Sequence, residues 1–226
     1  DMLAWDDETG ANWDLDISRN TYTEALRQAV GQAPAAHTAL LNFGGDLLHS
    51  DGQEPVTPTS ENIVDRDTRW GKSVDAAIWL IRFGVDMALQ HHQRVVLLVQ
   101  EGNHDMSTTT VIRKLLKPLY EREPRVEVID SEFPYYALQH GRCMIGGHHG
   151  HKCKPDNLPI RFATEFPQIW GDTAYRYIHA GHKHHEMQKK DINGVHVIQH
   201  PTAASRDAHA ARGGYGAQRE IGRAHV

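Results

Sequence analysis

The chain has 226 residues, of which 39% are hydrophobic and 23% are charged, a balance typical of a single globular domain. Its formal net charge of −5 argues against a surface that coats nucleic acid without specificity. No apolar stretch approaches the roughly 18 residues that a bilayer crossing needs, and two cysteines, Cys143 and Cys153, are too few for a disulfide framework. We therefore expect a cytoplasmic protein with no membrane partner.

Both ends of the sequence look artificial. The chain opens at Asp1 without an initiator Met, and its last six residues, 221–226, are what a common sequencing adapter spells when translated. We expect a domain over residues 1–219 that is truncated at its N-terminus, followed by a tail at residues 220–226 that is not native.

The first half of the chain alternates helical and strand patterns. Residues 1–20 are polar and predict turns. Apolar residues at helical spacing, or short apolar runs stopped by glycine, predict the elements that follow. These are a helix at residues 22–32, a strand at 38–43, a surface loop at 50–67, a helix at 73–90, a strand at 94–100 and a helix at 107–123 that ends or kinks near Pro118.

The second half of the chain changes to short strand patterns separated by turn signals such as Asn193-Gly194. Alternating strands and helices followed by a run of strands indicate an α/β fold with helices layered on sheets. The predicted strands lie at residues 125–129, 135–139, 142–145, 174–180, 186–190 and 195–199.

Four short polar motifs follow predicted strands, at the point where each strand ends. In open α/β sheets, ligands bind beyond the carboxyl ends of strands, so we expect these side chains to face a site. The glycines beside them allow sharp turns and a close approach of the backbone to a bound group. The motifs are Gly-Gly-Asp-Leu-Leu-His at 44–49, Gly-Asn-His-Asp at 102–105, Gly-His-His-Gly-His at 147–151 and Gly-His-Lys-His at 181–184.

The side chains of these motifs are oxygen and nitrogen ligands. Ten of the 17 histidines lie between His140 and His200, and one Asp and one Asn accompany them in the motifs. Such ligands suit Mn, Fe, Zn or Ni, and no thiolate joins them. A carboxylate can bridge two cations, and two cations about 3.5–4 Å apart can clamp a phosphorus centre for in-line displacement. The motifs therefore predict a catalytic metal site.

The ordered set of motifs resembles the calcineurin-like metallophosphoesterase family. The family pattern runs Asp-x-His, Gly-Asp, Gly-Asn-His-Asp/Glu, His and Gly-His-x-His, and the resemblance covers residues 44–184. It implies a four-layer α/β/β/α sandwich of two mixed sheets flanked by helices, here lacking its first strand. It also implies hydrolysis of a phosphate ester by a hydroxide activated between two divalent metal ions, Mn first, with Fe, Zn or Ni as alternatives.

The resemblance implies a role for each motif residue. Asp46 would bridge both ions, and His104 would be the general acid or charge stabiliser beside the scissile phosphate. His49, three residues after Asp46, is similar to a His of the DNA-repair exonuclease branch and would assist catalysis or orient the substrate. The other implied ligands are Asn103, His149 and His182 for the second ion and His184 for the first.

Some assignments stay open. His148 or His151 could be the ligand in place of His149, and Asp105 is expected to hold His104 in one tautomer and orientation. The family's opening Asp-x-His, which supplies two ligands of the first ion, is absent from residues 1–43, and truncation is the simplest explanation. We expect this fragment to bind the first ion weakly, and it could itself be inactive. A second Asp-x-His at residues 207–209 follows the last motif, and no connection that we can argue returns it to the site.

The resemblance implies a phosphodiesterase, with DNA or RNA among the substrates. Arg113, Lys114 and Lys117 on the helix after the second motif could touch a phosphate backbone, or could form a solvated helix face. The alternatives are a phosphomonoesterase acting on a phosphoprotein or a small metabolite, and a non-catalytic interaction module of the same fold.

Overall fold

The computed structural model describes residues 2–183 and 188–204, which form two β-sheets and six α-helices. Within these residues, no helix combines the length and the apolar composition that a membrane crossing needs. The helices are α1 (Asp6–Thr9), α2 (Leu15–Gln32), α3 (Trp70–His91), α4 (Met106–Tyr120), α5 (Leu158–Glu165) and α6 (Pro167–Asp172). The strands are β1 (Thr38–Phe43), β2 (Arg94–Val99), β3 (Val126–Val128), β4 (Tyr136–His140), β5 (Cys143–His148), β6 (Tyr175–Ala180), β7 (Gln188–Ile192) and β8 (Val195–Gln199).

The smaller sheet has the order β1-β2-β3, with all three strands parallel. The register pairs Phe43 with Val99, so β1 and β2 end side by side. The apolar run of β2 is buried on both faces, as is usual for a strand in the middle of a parallel sheet. The loops that follow these two strands therefore start at the same edge.

The larger sheet has the order β4-β5-β6-β8-β7 and is mixed. Its central strands β5, β6 and β8 are parallel, while β4 and β7 pair antiparallel with their neighbours. The register pairs His148 with Ala180, so β5 and β6 also end side by side. The loops after these strands carry the third and fourth motifs.

Two consecutive glycines of β5, Gly146 and Gly147, show what packs on each face of the larger sheet. A Cβ on Gly146 would lie 2.6 Å from a ring carbon of Phe162 in α5, so this face of the sheet meets the helices. A Cβ on Gly147 would lie 3.3 Å from Leu98 of β2, so the opposite face meets the smaller sheet. Helices α3 and α4 cover the outer face of the smaller sheet, with Ile81 and Leu116 fully buried there. The α/β fold of two sheets flanked by helices, predicted from the motifs, is confirmed.

Two stretches differ from the sequence prediction. Residues 1–20 do not form turns alone, because Asp14 caps α2 by accepting a hydrogen bond from Ile17 N at 2.7 Å, and the helix begins at Leu15. Helices α5 and α6 were not predicted. Both carry a proline in their first turn, Pro159 and Pro167. Proline is tolerated there because the first amides of a helix have no partner within the helix, so these prolines do not exclude a helix.

Candidate metal centre

The site lies where strands of both sheets end. Asp46 follows β1, Asn103 and His104 follow β2, His149 follows β5 directly, and His182 follows β6. The loops after β1 and β2 start at one edge, as do the loops after β5 and β6, and ligand atoms from both sheets meet, so these loops share one side of the sandwich. One possible ligand atom from each of Asp46, His149 and His182 lies within 4.8 Å of the other two. The structure thus brings together an oxygen and two nitrogens of the predicted ligand set.

Asp46 sits in a turn that the glycines make possible. Its own backbone has φ 53°, in the left-handed region that non-glycine residues rarely adopt. Gly45 has φ 93°, and a Cβ there would lie 2.5 Å from His149 Nδ1. A Cβ on Gly102 would lie 1.9 Å from Asp46 Oδ1. The carboxylate is therefore held in a cradle that only glycine permits, and local strain of this kind is typical of functional positions.

Both oxygens of Asp46 are engaged. Oδ1 accepts a hydrogen bond from His104 N at 2.9 Å, which ties the loops after β1 and β2 together. Oδ2 lies 2.9 Å from His149 Nε2. Burial opposes ionisation of the carboxyl, but the contacts with His149 and His104 hold the pKa of Asp46 well below its usual range. Asp46 is therefore a carboxylate at every physiological pH, as a metal ligand must be.

The hydrogen bond made by His149 Nδ1 determines the tautomer of the ring. Nδ1 lies 2.7 Å from the carbonyl oxygen of Gly44, so Nδ1 carries the proton and donates it. In the neutral ring the lone pair is then on Nε2, the atom that faces Asp46. A backbone carbonyl that fixes the ring in this way is the usual partner of a metal-binding histidine. Burial favours the neutral ring, but the contact with Asp46 outweighs it and raises the pKa of His149.

His182, the third residue of the cluster, also has a strained backbone. It has φ 68°, and its ring centroid lies 5.4 Å from that of His149. The loops after β5 and β6 are joined by a hydrogen bond of 2.8 Å from Gly181 N to His149 O. Gly150, with φ 113°, lets the backbone pass close to Gly181. Two of the three clustered side chains thus come from residues in the left-handed region.

The side-chain oxygen of Asn103 is buried and has no hydrogen-bond partner among the described residues. An orphaned buried acceptor costs about 1–3 kcal/mol, so such an atom calls for a bound ion or water. Asn103 is flanked by Gly102, which packs against Asp46, and by His104, whose amide binds Asp46. The donor set of carboxylate, amide and imidazole therefore fits a divalent transition metal.

His104 and His49 form a stacked pair beside Asp46. Their ring centroids lie 5.5 Å apart with an angle of 4° between the planes. His104 Nδ1 lies 3.2 Å from His49 O, so Nδ1 donates and the neutral ring has its lone pair on Nε2. The structure places both predicted catalytic residues together, next to the clustered ligands.

Asp105 does not orient His104 as the sequence predicted. Its two oxygens accept hydrogen bonds from Leu48 N and Gly102 N, both at 3.1 Å, and the side chain is fully buried. The ring of His104 is held by the carbonyl of His49 instead. Burial and the charge of Asp46 raise the pKa of Asp105 to about 7. Asp105 therefore joins the loops after β1 and β2 through their backbones.

The flanking histidines differ from His149. His148 is fully buried, donates from Nδ1 to Pro134 O at 2.9 Å and stacks on Tyr135 with centroids 4.2 Å apart. His151 lies 5.4 Å from His149 between ring centroids, and burial lowers its pKa to about 4. Only His149 of the three belongs to the converging group among the described residues. His184, predicted for the first ion, and residues 207–209 lie outside the described residues.

The basic residues of α4 do not form a free cationic face. Arg113 is buried, and its guanidinium donates to Val99 O at 3.2 Å and to Tyr136 OH at 3.1 Å, joining the two sheets. Lys114 and Lys117 both bind Asp130, at 2.9 and 3.3 Å. The expectation that Arg113 could contact a phosphate backbone is wrong, because amphipathic spacing alone did not reveal which way this residue points.

Sequence reasoning missed one ion pair and one set of hydrogen bonds around the site. Lys152 lies 2.6 Å from Glu101 and joins the loop after β5 to the loop after β2. Asp51 binds the first turn of α4 from a separate loop. Each residue stands within three positions of a motif, and that proximity was the only signal available.

No family model matches the chain, and no curated protein matches it either. The case for a function is therefore made by the motifs and by the geometry of this site.

Proposed function

We propose that this chain is a metal-dependent phosphoesterase that hydrolyses a phosphodiester, with a nucleic acid as one candidate substrate. The observation that carries the proposal is the convergence of Asp46, His149 and His182 at the strand ends. The orphaned oxygen of Asn103 supports it, because a cation would satisfy that atom. The donor types suit Mn, Fe, Zn or Ni, and the resemblance to the metallophosphoesterases favours Mn and two ions.

The protein residues would each do one task. With a cation bound, Asp46 would present an oxygen and His149 an unprotonated Nε2 to it, and His104 N and Gly44 O hold these two side chains. A bound divalent cation would lower the pKa of a bound water and would neutralise the charge that develops on the phosphate. His104, whose Nδ1 donates to His49 O, could protonate the leaving oxygen from Nε2 when its ring carries a second proton.

The position of His49 favours a diesterase over a monoesterase. His49 lies three residues after Asp46, as in the DNA-repair exonuclease branch that the motifs resemble, and its ring stacks on His104 near the clustered ligands. A phosphomonoesterase acting on a phosphoprotein or small metabolite is the alternative. A non-catalytic module of the same fold is the other.

The test is turnover of two chromogenic esters with Mn²⁺. The wild-type chain should cleave bis-p-nitrophenyl phosphate faster than p-nitrophenyl phosphate, and Asp46→Asn should remove the activity while the circular dichroism spectrum is retained. His140→Ala, which alters an exposed histidine of β4, is the matched control and should keep wild-type rates. Preference for the monoester would favour the alternative enzyme, and binding of Mn²⁺ with no turnover of either ester would favour the interaction module.

A nucleic-acid substrate needs its own test, because α4 offers no unpaired cation from Arg113, Lys114 or Lys117. Cleavage of a single-stranded oligonucleotide in Mn²⁺, weakening steeply as salt increases, would support it. We also propose a reducing compartment, the cytoplasm, since Cys143 and Cys153 are both unpaired.

A further inference from the structure

A carboxylate from the loop after β1 caps helix α4 from outside the helix. Asp51 Oδ2 accepts a hydrogen bond from Ser107 N at 2.7 Å, and Oδ1 accepts from both Thr108 N and Thr108 Oγ1, each at 2.7 Å. The amides of a helix's first turn lack partners within the helix. The residue at the N-cap position, Asp105, makes no side-chain cap because its oxygens bind elsewhere. Asp51 therefore takes over that task from 56 residues away.

These hydrogen bonds lie beside the stacked imidazoles. Asp51 is two residues after His49, and Ser107 is three residues after His104. The cap and the ring stack thus join the same two segments at neighbouring points. The rings lie 5.5 Å apart and parallel to within 4°, a geometry that requires both backbones to be fixed.

The segment after His49 is also held from its other side. Arg66 donates to Ser50 Oγ at 3.2 Å and to Gly52 O at 2.8 Å. Ser50 itself is fully buried. Asp51 is the residue between these two contacts, and it turns toward α4. Residues 50–52 are therefore clamped between Arg66 and the first turn of α4.

We propose that Asp51 is a positioning residue that holds His49 against His104. The inference rests on the proposed function, in which these two imidazoles act beside the phosphate. Without Asp51, the loop would separate from α4, and the carbonyl of His49 would leave His104 Nδ1. His104 would then sample both tautomers and more than one ring orientation, and a displaced catalytic group is costly in rate.

The first experiment needs no activity. In histidine-labelled chain, nuclear Overhauser effects between the ring protons of His49 and His104 report the stack, and the ¹⁵N shifts of His104 report its tautomer. Asp51→Ala should weaken the ring-to-ring effects at least severalfold and mix the tautomers. Asp14→Ala is the matched control, because Asp14 caps α2 through Ile17 N at 2.7 Å, far along the chain from either ring. It should remove a helix cap at similar cost in stability and leave both signals unchanged.

The second experiment measures turnover of bis-p-nitrophenyl phosphate with saturating Mn²⁺. Asp51→Ala should lower kcat about 10–100-fold, with little change in Mn²⁺ affinity, and Asp51→Asn, which keeps an acceptor oxygen, should recover part of the loss. In a His104→Ala background, Asp51→Ala should add nothing, because the loss arises from the displaced ring of His104.

The outcomes separate the two claims. If the wild-type chain turns over no ester, the proposed phosphoesterase fails, and the ring-to-ring signals alone decide the role of Asp51. If Asp51→Ala leaves those signals at wild-type strength, or if its kcat effect multiplies with that of His104→Ala, then Asp51 is only a helix cap and the positioning role is wrong.

Discussion

His149 Nε2 lies 2.9 Å from Asp46 Oδ2, while Nδ1 of the same ring donates to Gly44 O at 2.7 Å. With the proton of the neutral ring on Nδ1, two atoms bearing lone pairs face each other, and they repel unless a cation lies between them. In the metal-free chain, a second proton on His149 Nε2 lies between the two atoms and removes the repulsion. The raised pKa of His149 reflects this interaction with Asp46. A divalent metal would replace the proton.

Metal binding should therefore release a proton and strengthen as pH rises. Below the raised pKa of His149 a metal must compete with a proton on Nε2, so the affinity for Mn²⁺ should fall as pH decreases through that pKa, which lies above 6.5. The metal-free chain has the opposite trend, because a raised histidine pKa stabilises the fold below 6.5 and that stability is lost as pH rises through the folded pKa.

The measurement is the melting temperature with and without Mn²⁺ between pH 6 and pH 8.5. The increase caused by the metal should be larger at the higher pH, and Asp46→Asn should abolish most of it. An increase that is equal at both ends of this range would show that no histidine proton is displaced.

Gly102→Ala should damage the site and the fold together. The new Cβ would lie 1.9 Å from Asp46 Oδ1 and 2.2 Å from Asp46 N, so the loops after β1 and β2 must separate. Overpacking of this kind costs about 1–3 kcal/mol or more in the free energy of unfolding. Urea denaturation measures it, and a Mn²⁺ titration should show weakened binding.

Gly171→Ala is the matched control for that substitution. Gly171 lies in α6, and a Cβ there would meet nothing within 4 Å. Alanine is also the better helix former, so the stability should be unchanged or greater by up to about 1 kcal/mol. A Gly102→Ala chain as stable as Gly171→Ala would contradict the packing around Asp46.

The motifs predicted the site better than they predicted its supports. His149 and His182 are neighbours because parallel strands place their carboxyl ends at one edge, a rule that needs only the order of the elements, and the packing of the two sheets brings Asp46 to them. The partner of Asp105 was not predictable in the same way. Whether a buried carboxylate binds a neighbouring ring or two distant amides depends on how the loops pack, and hydrogen bonds to Leu48 N and Gly102 N are not visible in spacing.

The same limit explains Arg113. Its position on α4 is compatible with a solvated face, but tertiary packing turns it between the sheets, where it binds Val99 O and Tyr136 OH. Arg113→Met should therefore cost about 2–3 kcal/mol in the free energy of unfolding, because it leaves two buried oxygens without a donor. Lys114→Met, which removes a half-exposed partner of Asp130, should cost much less, because water screens this ion pair.

Urea denaturation of the two variants measures the difference. Equal and small effects would place Arg113 at the surface and contradict its burial. Arg113→Met and Lys114→Met also test nucleic-acid binding. Because both side chains are already paired within the protein, neither substitution should change the salt dependence of nucleic-acid binding by much.

His104→Ala should separate chemistry from metal binding. The side chain of His104 is outside the converging ligand group, and its backbone N–H, which binds Asp46, survives the substitution. Mn²⁺ affinity should stay near the wild-type value, while kcat on bis-p-nitrophenyl phosphate falls about 10²–10⁴-fold, the usual contribution of one acid–base group. Isothermal titration and steady-state kinetics measure the two quantities. Full turnover in the variant would mean that the role is misassigned.

The most direct measurement is a crystal of the chain grown with Mn²⁺ and recorded at a wavelength where manganese scatters anomalously. The account predicts an anomalous peak within about 2.0–2.4 Å of Asp46 Oδ2, His149 Nε2 and a ring nitrogen of His182, with Asn103 Oδ1 turned toward it. An anomalous map with no peak among these side chains, at a Mn²⁺ concentration that saturates binding in solution, would contradict it.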